Sequence, residues 1–334
     1  MEFGFPLESE ALVLPQGTPF VGTTPTGPGY QWQSRYGIVG LNQNLDRRVV
    51  CDGMNEKGLV ASLLYLPGFA EYEPFDPKQS SQTIGAWELP TLVLSLCRTI
   101  SEVKKLLPSI SVAQQMFPGM PNFFLPVHLY VADRNGAVLI VEFVTGKRHM
   151  YDHPLGCLTN SPPLDWQLIN LSNYINLSPY NASNLSLKGY LVKGVGQGTG
   201  MLGLPGDWTP PSRFVRAALF SSWALPPNNG IETVKLGFHI LNTFDIFEGV
   251  ILERPTNPAA APPGKEQNDT TQWVVVHNLT QKESYIRTYN GQQIEKIDLN
   301  KIDFSGSTPM RIRLKNEFAF IDITDRQTPL SKDL

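Results

Sequence analysis

No apolar run in the 334 residues approaches the roughly eighteen that a membrane-spanning helix needs. Charge is sparse as well. Only 17% of residues are charged, against about a quarter in an average domain. The net charge of −3 offers no basic surface for nucleic acid or for an anionic membrane. The three cysteines, Cys51, Cys97 and Cys157, are an odd number without metal-ligand spacing, which reads as buried reduced thiols. The five histidines are scattered and form no H-x-x-x-H or Cys/His cluster, so neither a metal site nor a cofactor is expected. Met1-Glu2-Phe3-Gly4-Phe5-Pro6-Leu7 lacks a basic n-region and a small-residue cleavage site. It reads as the inside of a fold rather than as a signal peptide.

What the chain does have is apolar residues and punctuation: 41% hydrophobic, with 28 Gly and 28 Pro. That composition suits a globular, loop-rich protein with a sizeable core. The length admits one large domain or two ordinary ones. No repeat or linker divides it, so a single domain over 1–334 is the expectation.

The chain is organised around Gly196 to Arg216, where five glycines and three prolines fix a tightly turned backbone. Its Gly198, Gly200 and Gly203 match G-x-G-x-x-G, but a loop continues through Pro205 and Pro211 where a dinucleotide site needs a helix at once. A helix then opens, with Ser212 expected as its N-cap and apolar residues at helical spacing. Arg213 falls in the first turn, where a cation opposes the positive end of the macrodipole. Two roles remain open for it: a surface salt bridge, or service to a carboxylate or a reacting group.

In chain order, Ala11–Leu14 and Tyr36–Gly40 read as short strands separated by a loop from Gln16 to Gly29. A nearly continuous apolar strand, Leu59 to Leu66, suggests burial on both faces. Leu89 to Cys97 is helical, and a Thr99-x-x-Glu102 capping box opens a second helix. Asn135-Gly136 between apolar runs marks a hairpin. His149 and His153 read as surface residues near the next strand, and Asp165 as the cap of a helix from Trp166. Arg213–Leu225 and Ile231–Leu241 form a helix pair; Trp273–His277 and Ser284–Tyr289 form another hairpin, and Met310–Leu314 a late strand. Hairpins interspersed with helix pairs argue an α+β fold, helices layered over antiparallel sheet. Six Asn-x-Ser/Thr sequons, at Asn170, Asn176, Asn181, Asn184, Asn268 and Asn278, lie largely in an Asn/Ser-rich segment and read as compositional.

Three stretches now stand in register: Asp52-Gly53-Met54-Asn55-Glu56-Lys57-Gly58-Leu59, Leu158-Thr159-Asn160-Ser161-Pro162-Pro163-Leu164-Asp165-Trp166, and Gly203-Leu204-Pro205-Gly206-Asp207-Trp208-Thr209-Pro210-Pro211-Ser212-Arg213-Phe214. In this order they resemble the choloylglycine hydrolase family, which includes bile salt hydrolases and penicillin V acylases. The resemblance extends to Thr271-Gln272-Trp273 and Ile297-Asp298-Leu299. It implies an Ntn-hydrolase fold, a four-layer αββα sandwich. It also implies a hydrolase of linear, non-peptide C–N amide bonds in a small-molecule N-acyl amide, bile salt hydrolase-like or penicillin V acylase-like. The family's tendency to tetramers makes a homo-oligomer expected, and the compartment stays open between cytoplasm and periplasm.

Carried over residue by residue, the family's oxyanion hole falls on the Asn160 side-chain amide and the backbone N–H of Tyr65, its active-site arginine on Arg213, and an acidic residue that positions the nucleophile's amine on Glu2. Two donors aimed at a developing negative charge are the physical requirement. Tyr65 stands where penicillin V acylases carry Tyr and bile salt hydrolases Asn, which leans toward an apolar or aromatic acyl group. Phe3, Phe5, Phe123 and Phe124 are candidates to line an apolar substrate pocket, with core packing as the other reading. The family's nucleophile is an N-terminal cysteine whose own α-amine can act as the base. Family chains begin with that Cys, make a hairpin and reach Gly-Arg-x-Met-Asp, whereas this sequence starts at the Met of the motif. About fifteen to twenty residues, two strands and a turn, are therefore expected to be missing, leaving an N-terminally truncated frame without its nucleophile. The alternatives are a non-catalytic truncated member, ligand-binding or non-functional, and a β-rich structural domain; the latter leaves the placement of Arg213 unexplained.

Overall fold

The computed structural model describes residues 1–4, 7–42, 50–117, 123–253 and 267–328. Its strands, in chain order, are β1 (Glu2–Phe3), β2 (Ala11–Leu14), β3 (Pro19–Thr24), β4 (Gly27–Gln33), β5 (Ile38–Asn42), β6 (Val50–Asn55), β7 (Val60–Tyr65), β8 (Val127–Ala132), β9 (Val138–Val144), β10 (Lys147–Asp152), β11 (Leu185–Leu187), β12 (Tyr190–Val192), β13 (Trp273–Asn278), β14 (Glu283–Thr288), β15 (Glu295–Asp298) and β16 (Met310–Ile312). Two-residue pairings elsewhere are minor. The main helices are α1 (Leu89–Leu96), α2 (Ile100–Leu106), α3 (Leu164–Leu171), α4 (Pro210–Trp223) and α5 (Gly230–Asn242).

An antiparallel eight-stranded sheet runs in the order β10-β9-β8-β7-β6-β5-β2-β16. Its inner strands are largely apolar because both faces are covered, whereas β10 and β16 at the edges reach solvent, and the period of two sorts the inner side chains between the covers. Leu12, Leu14, Ala61, Leu63, Leu139, Val141 and Phe143 face one cluster, packed with Leu89, Leu92, Val93 and Val103 of α1 and α2. Ala11, Val13, Val39, Leu41, Met54 and Val60 face a second cluster with Trp273, Ile286, Ile297 and Leu299. Trp273, Ile286 and Ile297 belong to the second sheet, β13-β14-β15, and Leu299 to the helical turn that follows β15. On its outer side Val274 and Tyr285 meet Val234 and Phe238 of α5. The layers are therefore helix, sheet, sheet, helix, the αββα arrangement. On the face of the first sheet opposite α1 and α2, Ile140 of β9 packs with Leu164 of α3 and with Phe214 and Ala218 of α4.

At the edge of the second sheet, β1 pairs with Thr270–Thr271, and the Met1 carbonyl accepts from Gln272 N–H at 2.8 Å. Among the described residues, β13 has a strand partner only on its β14 side.

Several local expectations are corrected. The presumed loop from Gln16 to Gly29 contains the β3–β4 hairpin. Its Gly/Thr/Pro content hides an alternating pattern, in which Phe20 stacks on Trp32 at 5.2 Å and Trp32 Nε1 donates to Ser95 Oγ at 2.8 Å. Gly29 is required there: a Cβ would sit 2.2 Å from the Thr83 carbonyl oxygen. The helix α3 begins at Leu164, with Pro163 at its cap and Asp165 in its first turn. His153 is buried rather than surface-lying, its Nε2 2.7 Å from the Cys157 carbonyl oxygen. The cap of α4 is Thr209, not Ser212; two prolines at the start carry the helix back a turn earlier, since proline suits the first helical positions.

Candidate active site

The start of α4 is built around Asp207. Its Oδ1 accepts from the N–H and Oγ1 of Thr209 at 2.8 and 2.5 Å, and its Oδ2 from Ser212 Oγ at 2.7 Å. These hydroxyls hold its carboxyl down to about 2. Arg216 braces the loop from behind: its Nη1 donates to the carbonyls of Pro205 and Asp207 at 2.8 and 2.7 Å, and its guanidinium lies over the Phe244 ring at 5.2 Å. Phe214 and Ala218, four residues apart on one helix face, are buried against Ile140 and Leu164. That anchoring sets the rotation of α4. From it Arg213 Nε donates to the Trp208 carbonyl at 2.9 Å, and Nη2 to Asn160 Oδ1 at 2.7 Å.

Asn160 itself is held at its amide end too, where Nδ2 donates to the Tyr65 carbonyl at 2.7 Å. One of the two N–H groups is thus used, and an amide nitrogen carries two. Tyr65 closes β7, and the next residue, Leu66, donates to Pro126 at 2.7 Å. The turn around Asn160 contains a cis Ser161–Pro162 bond and is tied to its surroundings on several sides. Thr159 Oγ1 donates to Pro210 at 3.0 Å and Ser161 Oγ to Pro67 at 2.6 Å. Gln167 Nε2 reaches the carbonyls of Asn160 and Pro162 at 3.4 and 3.2 Å.

Glu2 completes the group electrostatically. Burial disfavours its charged form, but the Met1 amine and the Arg213 guanidinium outweigh this and hold its carboxyl below its ordinary value. Burial pulls Arg213 below its own ordinary value, against the opposing pull of Glu2 and Asp269. The cation that is out of place for the helix dipole therefore stands among carboxylates and an amide oxygen. Tyr65, Asn160 and Arg213 are joined by hydrogen bonds, and the Glu2 carboxylate acts on Arg213 through its charge.

The four phenylalanines fare differently. Phe124 lines a separate groove of about 710 Å³ with Val21, Pro28, Gln115 and Met116. Phe123 lies beside it, its carbonyl accepting from Phe117 N–H at 2.8 Å. Phe5 and the side chain of Phe3 fall outside the described residues.

The three cysteines are buried, and none is in a disulfide. Burial, with Glu102 adding to it, pushes the Cys97 thiol up to about 12, and burial pushes Cys157 equally to about 12. Neither is a thiolate nucleophile. Among the described residues no group of three or more His, Cys, Asp or Glu is arranged to hold a metal, and no helix is long and apolar enough to cross a membrane.

Sequence reading passed over two further residues, His128 of β8 and Glu142 of β9, both fully buried under the Asn160 turn. Each stands alone in an apolar strand, and only the pairing of the strands brings them together.

A model of the linear amide C–N hydrolases, choloylglycine hydrolase family, matches residues 1–312. A bile salt hydrolase/transferase of Clostridium perfringens is 30% identical over 277 residues, covering 82% of this chain and 80% of that one. A penicillin V acylase of Pectobacterium atrosepticum is 27% identical over 292 residues, 82% of this chain and 69% of its own length. The crystal structure of a variant of conjugated bile acid hydrolase from Clostridium perfringens superposes with a TM-score of 0.82 at 26% identity, over 97% of this chain and 94% of that one. The chain belongs to the choloylglycine hydrolase family of linear amide C–N hydrolases.

Proposed function

We propose that Asn160, Tyr65, Arg213 and Glu2 form the charge-stabilising half of an amide-hydrolysis site, completed by an N-terminal cysteine that is not among the three cysteines of this sequence. The observation that carries this reading is the Asn160 amide, gripped at Oδ1 by Arg213 and at Nδ2 by Tyr65. A donor held from both ends needs no reorganisation when negative charge develops on a carbonyl oxygen, which is how such groups lower a barrier. The second Nδ2 proton and the Tyr65 backbone N–H are the two donors. Arg213 serves beside the thiol, where a cation favours the thiolate. Glu2, whose carboxyl the Arg213 guanidinium favours in its charged form, holds the cysteine's α-amine, which acts as the base.

The substrate class is a small N-acyl amide. Tyr65 at the lip of the site, 37% exposed, offers an aromatic face to an apolar acyl group, which favours penicillin V over a glycine or taurine conjugate.

Two preparations test the reading: the 334-residue chain, and the same chain preceded by a Cys-initiated β-hairpin of roughly fifteen to twenty residues ending in Gly-Arg-x. The first should be inactive on every amide. The second should cleave penicillin V faster than glycocholate, lose activity to iodoacetamide, and fall by about a hundredfold or more in kcat on Asn160→Ala. Thiol-insensitive hydrolysis by the first preparation, or an Asn160→Ala enzyme at full rate, overturns the mechanism. Preference for glycocholate overturns the use made of Tyr65 alone.

A further inference from the structure

His128 and Glu142 stand opposite one another, one position beyond the Leu129–Val141 pair of the β8–β9 ladder. Both side chains are wholly excluded from solvent. His128 Nδ1 lies 2.8 Å from Glu142 Oε1, and its Nε2 lies 3.0 Å from the Thr159 carbonyl oxygen. Leu164 N–H reaches both oxygens of Glu142, at 3.1 and 3.2 Å. A backbone carbonyl can only accept, and an ionised Glu142 carboxyl, the state that suits the Leu164 N–H shared between its two oxygens, is acceptor-only as well. Both ring nitrogens therefore face acceptors. A neutral imidazole has one N–H to give, and this site calls for two. A buried charge pair is tolerable when its remaining hydrogen-bonding capacity is also met, and here it is met by Thr159 on one side and Leu164 on the other. Those two residues bracket the turn that carries Asn160.

We propose that His128 and Glu142 form a buried imidazolium–carboxylate pair that positions Asn160 by clamping both ends of its turn. Its catalytic meaning rests on the oxyanion role proposed for Asn160; its geometric content does not. Neither residue touches the site, so both act through the turn. Gln167, Thr159 Oγ1 and Ser161 Oγ also hold this turn, and the competing account is that they suffice without the pair.

Nuclear magnetic resonance on the 334-residue protein decides between these accounts. Histidine-selective and asparagine-selective ¹⁵N labelling reports the His128 ring and the Asn160 side-chain amide, assigned through His128→Gln and Asn160→Asp. In the wild type at neutral pH both His128 ring nitrogens should carry hydrogen. Glu142→Gln still offers an acceptor to Leu164 and an N–H to Nδ1, so the ring should drop to one protonated nitrogen while the Asn160 signal stays near its native position. His128→Leu with Glu142→Leu removes both clamps without stranding a charge. It should recover part of the melting temperature lost by either single leucine variant, yet leave the Asn160 signal displaced or broadened.

A native Asn160 signal in the double variant, or a singly protonated ring in the wild type, overturns the proposal. Should the double variant not fold, the wild-type ring carries the test: two protonated nitrogens support the pair and a singly protonated ring overturns it. A fully active Asn160→Ala enzyme would remove the oxyanion reading and leave the clamp standing, so the two ideas fail separately.

Discussion

The eight-stranded sheet has two covered faces, and they differ in kind. Toward α1 and α2 it presents an apolar surface, where a buried polar side chain such as Asn55 serves backbone ends, donating to the carbonyls of Leu94 and Cys97 at 2.8 and 2.6 Å and accepting from the N–H groups of Lys57 and Leu59 at 3.0 and 3.1 Å. Toward the second sheet it carries a polar chain that crosses the interior. Ser62 Oγ donates to Asp52 Oδ2 at 2.6 Å, Asp52 Oδ1 lies 2.7 Å from His277 Nε2, and His277 Nδ1 lies 2.8 Å from Ser284 Oγ. Helix packing on one face is a matter of volume. Sheet packing on the other is partly a matter of charge, and Ile140 on that same side of the first sheet carries α4, from which Arg213 projects. The first face is held by volume, and the second by volume and by polar contacts.

The comparison is tested most severely by removing volume from the helix-covered face. Phe143 is fully buried, with Tyr72 tilted against it at 5.4 Å and the Arg148 guanidinium over its ring at 5.5 Å. Phe143→Ala should cost about 3–5 kcal/mol, read as a shift in the denaturation midpoint at unchanged m-value. A cost under about 1 kcal/mol would mean that this face is not the tightly packed one.

On the other face the expected loss is smaller and depends on pH. Asp52→Ala leaves His277 without its carboxylate and should cost about 1–3 kcal/mol at neutral pH. Burial would raise the Asp52 carboxyl, but His277, Ser62 and the Met1 amine outweigh it and leave the carboxyl below its ordinary value of 3.8. Such a group stabilises the folded state above its unfolded pKa, and that contribution is lost as pH falls through the lower folded value. The gap between wild type and Asp52→Ala should therefore be full at pH 6 and close progressively below about pH 4. A gap that widened on acidification would reverse the assignment.

The same contrast explains how much of the molecule could be read from its sequence. Strands of the first sheet such as β7 were legible because burial on both faces gives nearly continuous apolar runs such as Val60–Tyr65, and α2 because Thr99 announces its cap; β6 was not, since Asp52-Gly53 reads as the start of a turn. The β3–β4 hairpin was not, since Pro19, Gly22, Gly27, Pro28 and Gly29 punctuate it as if it were a loop. Its register is fixed by Trp32 reaching Ser95, a tertiary contact. Asn160, Tyr65, Arg213 and Glu2 could be named only by resemblance, apart from the hint of a cation at the wrong end of a helix. His128 and Glu142 carried no local signal at all. Neither did the Asp52–His277 contact, whose partners are 225 positions apart. Polar pairs made across strands leave a single polar residue in each apolar run, and one such residue predicts nothing.

Helix caps compare the outer layers on equal terms. Thr99 accepts from Glu102 N–H at 3.3 Å to cap α2 over the first sheet, and Asn229 accepts from Glu232 N–H at 3.0 Å to cap α5 over the second. Thr99→Ala and Asn229→Ala should each cost about 1 kcal/mol in chemical denaturation. A marked loss for one and none for the other would show that the two sheets do not unfold together.

The smallest effect is expected where neither face of the sheet is involved. The β11–β12 hairpin pairs Leu185 with Val192 and Leu187 with Tyr190, yet Leu187 is 54% exposed and Tyr190 74%, so the pair covers no core of this chain. Leu187→Thr keeps a residue suited to a strand while removing apolar surface that water already reaches. The change should lie within about 0.5 kcal/mol and be the same at low and high protein concentration. A loss above about 1 kcal/mol that depends on protein concentration would mean that the hairpin is buried against a second copy of the chain, because only association makes stability depend on concentration. It would then count as a third interior beside the two faces of the sheet, one that a single chain does not display.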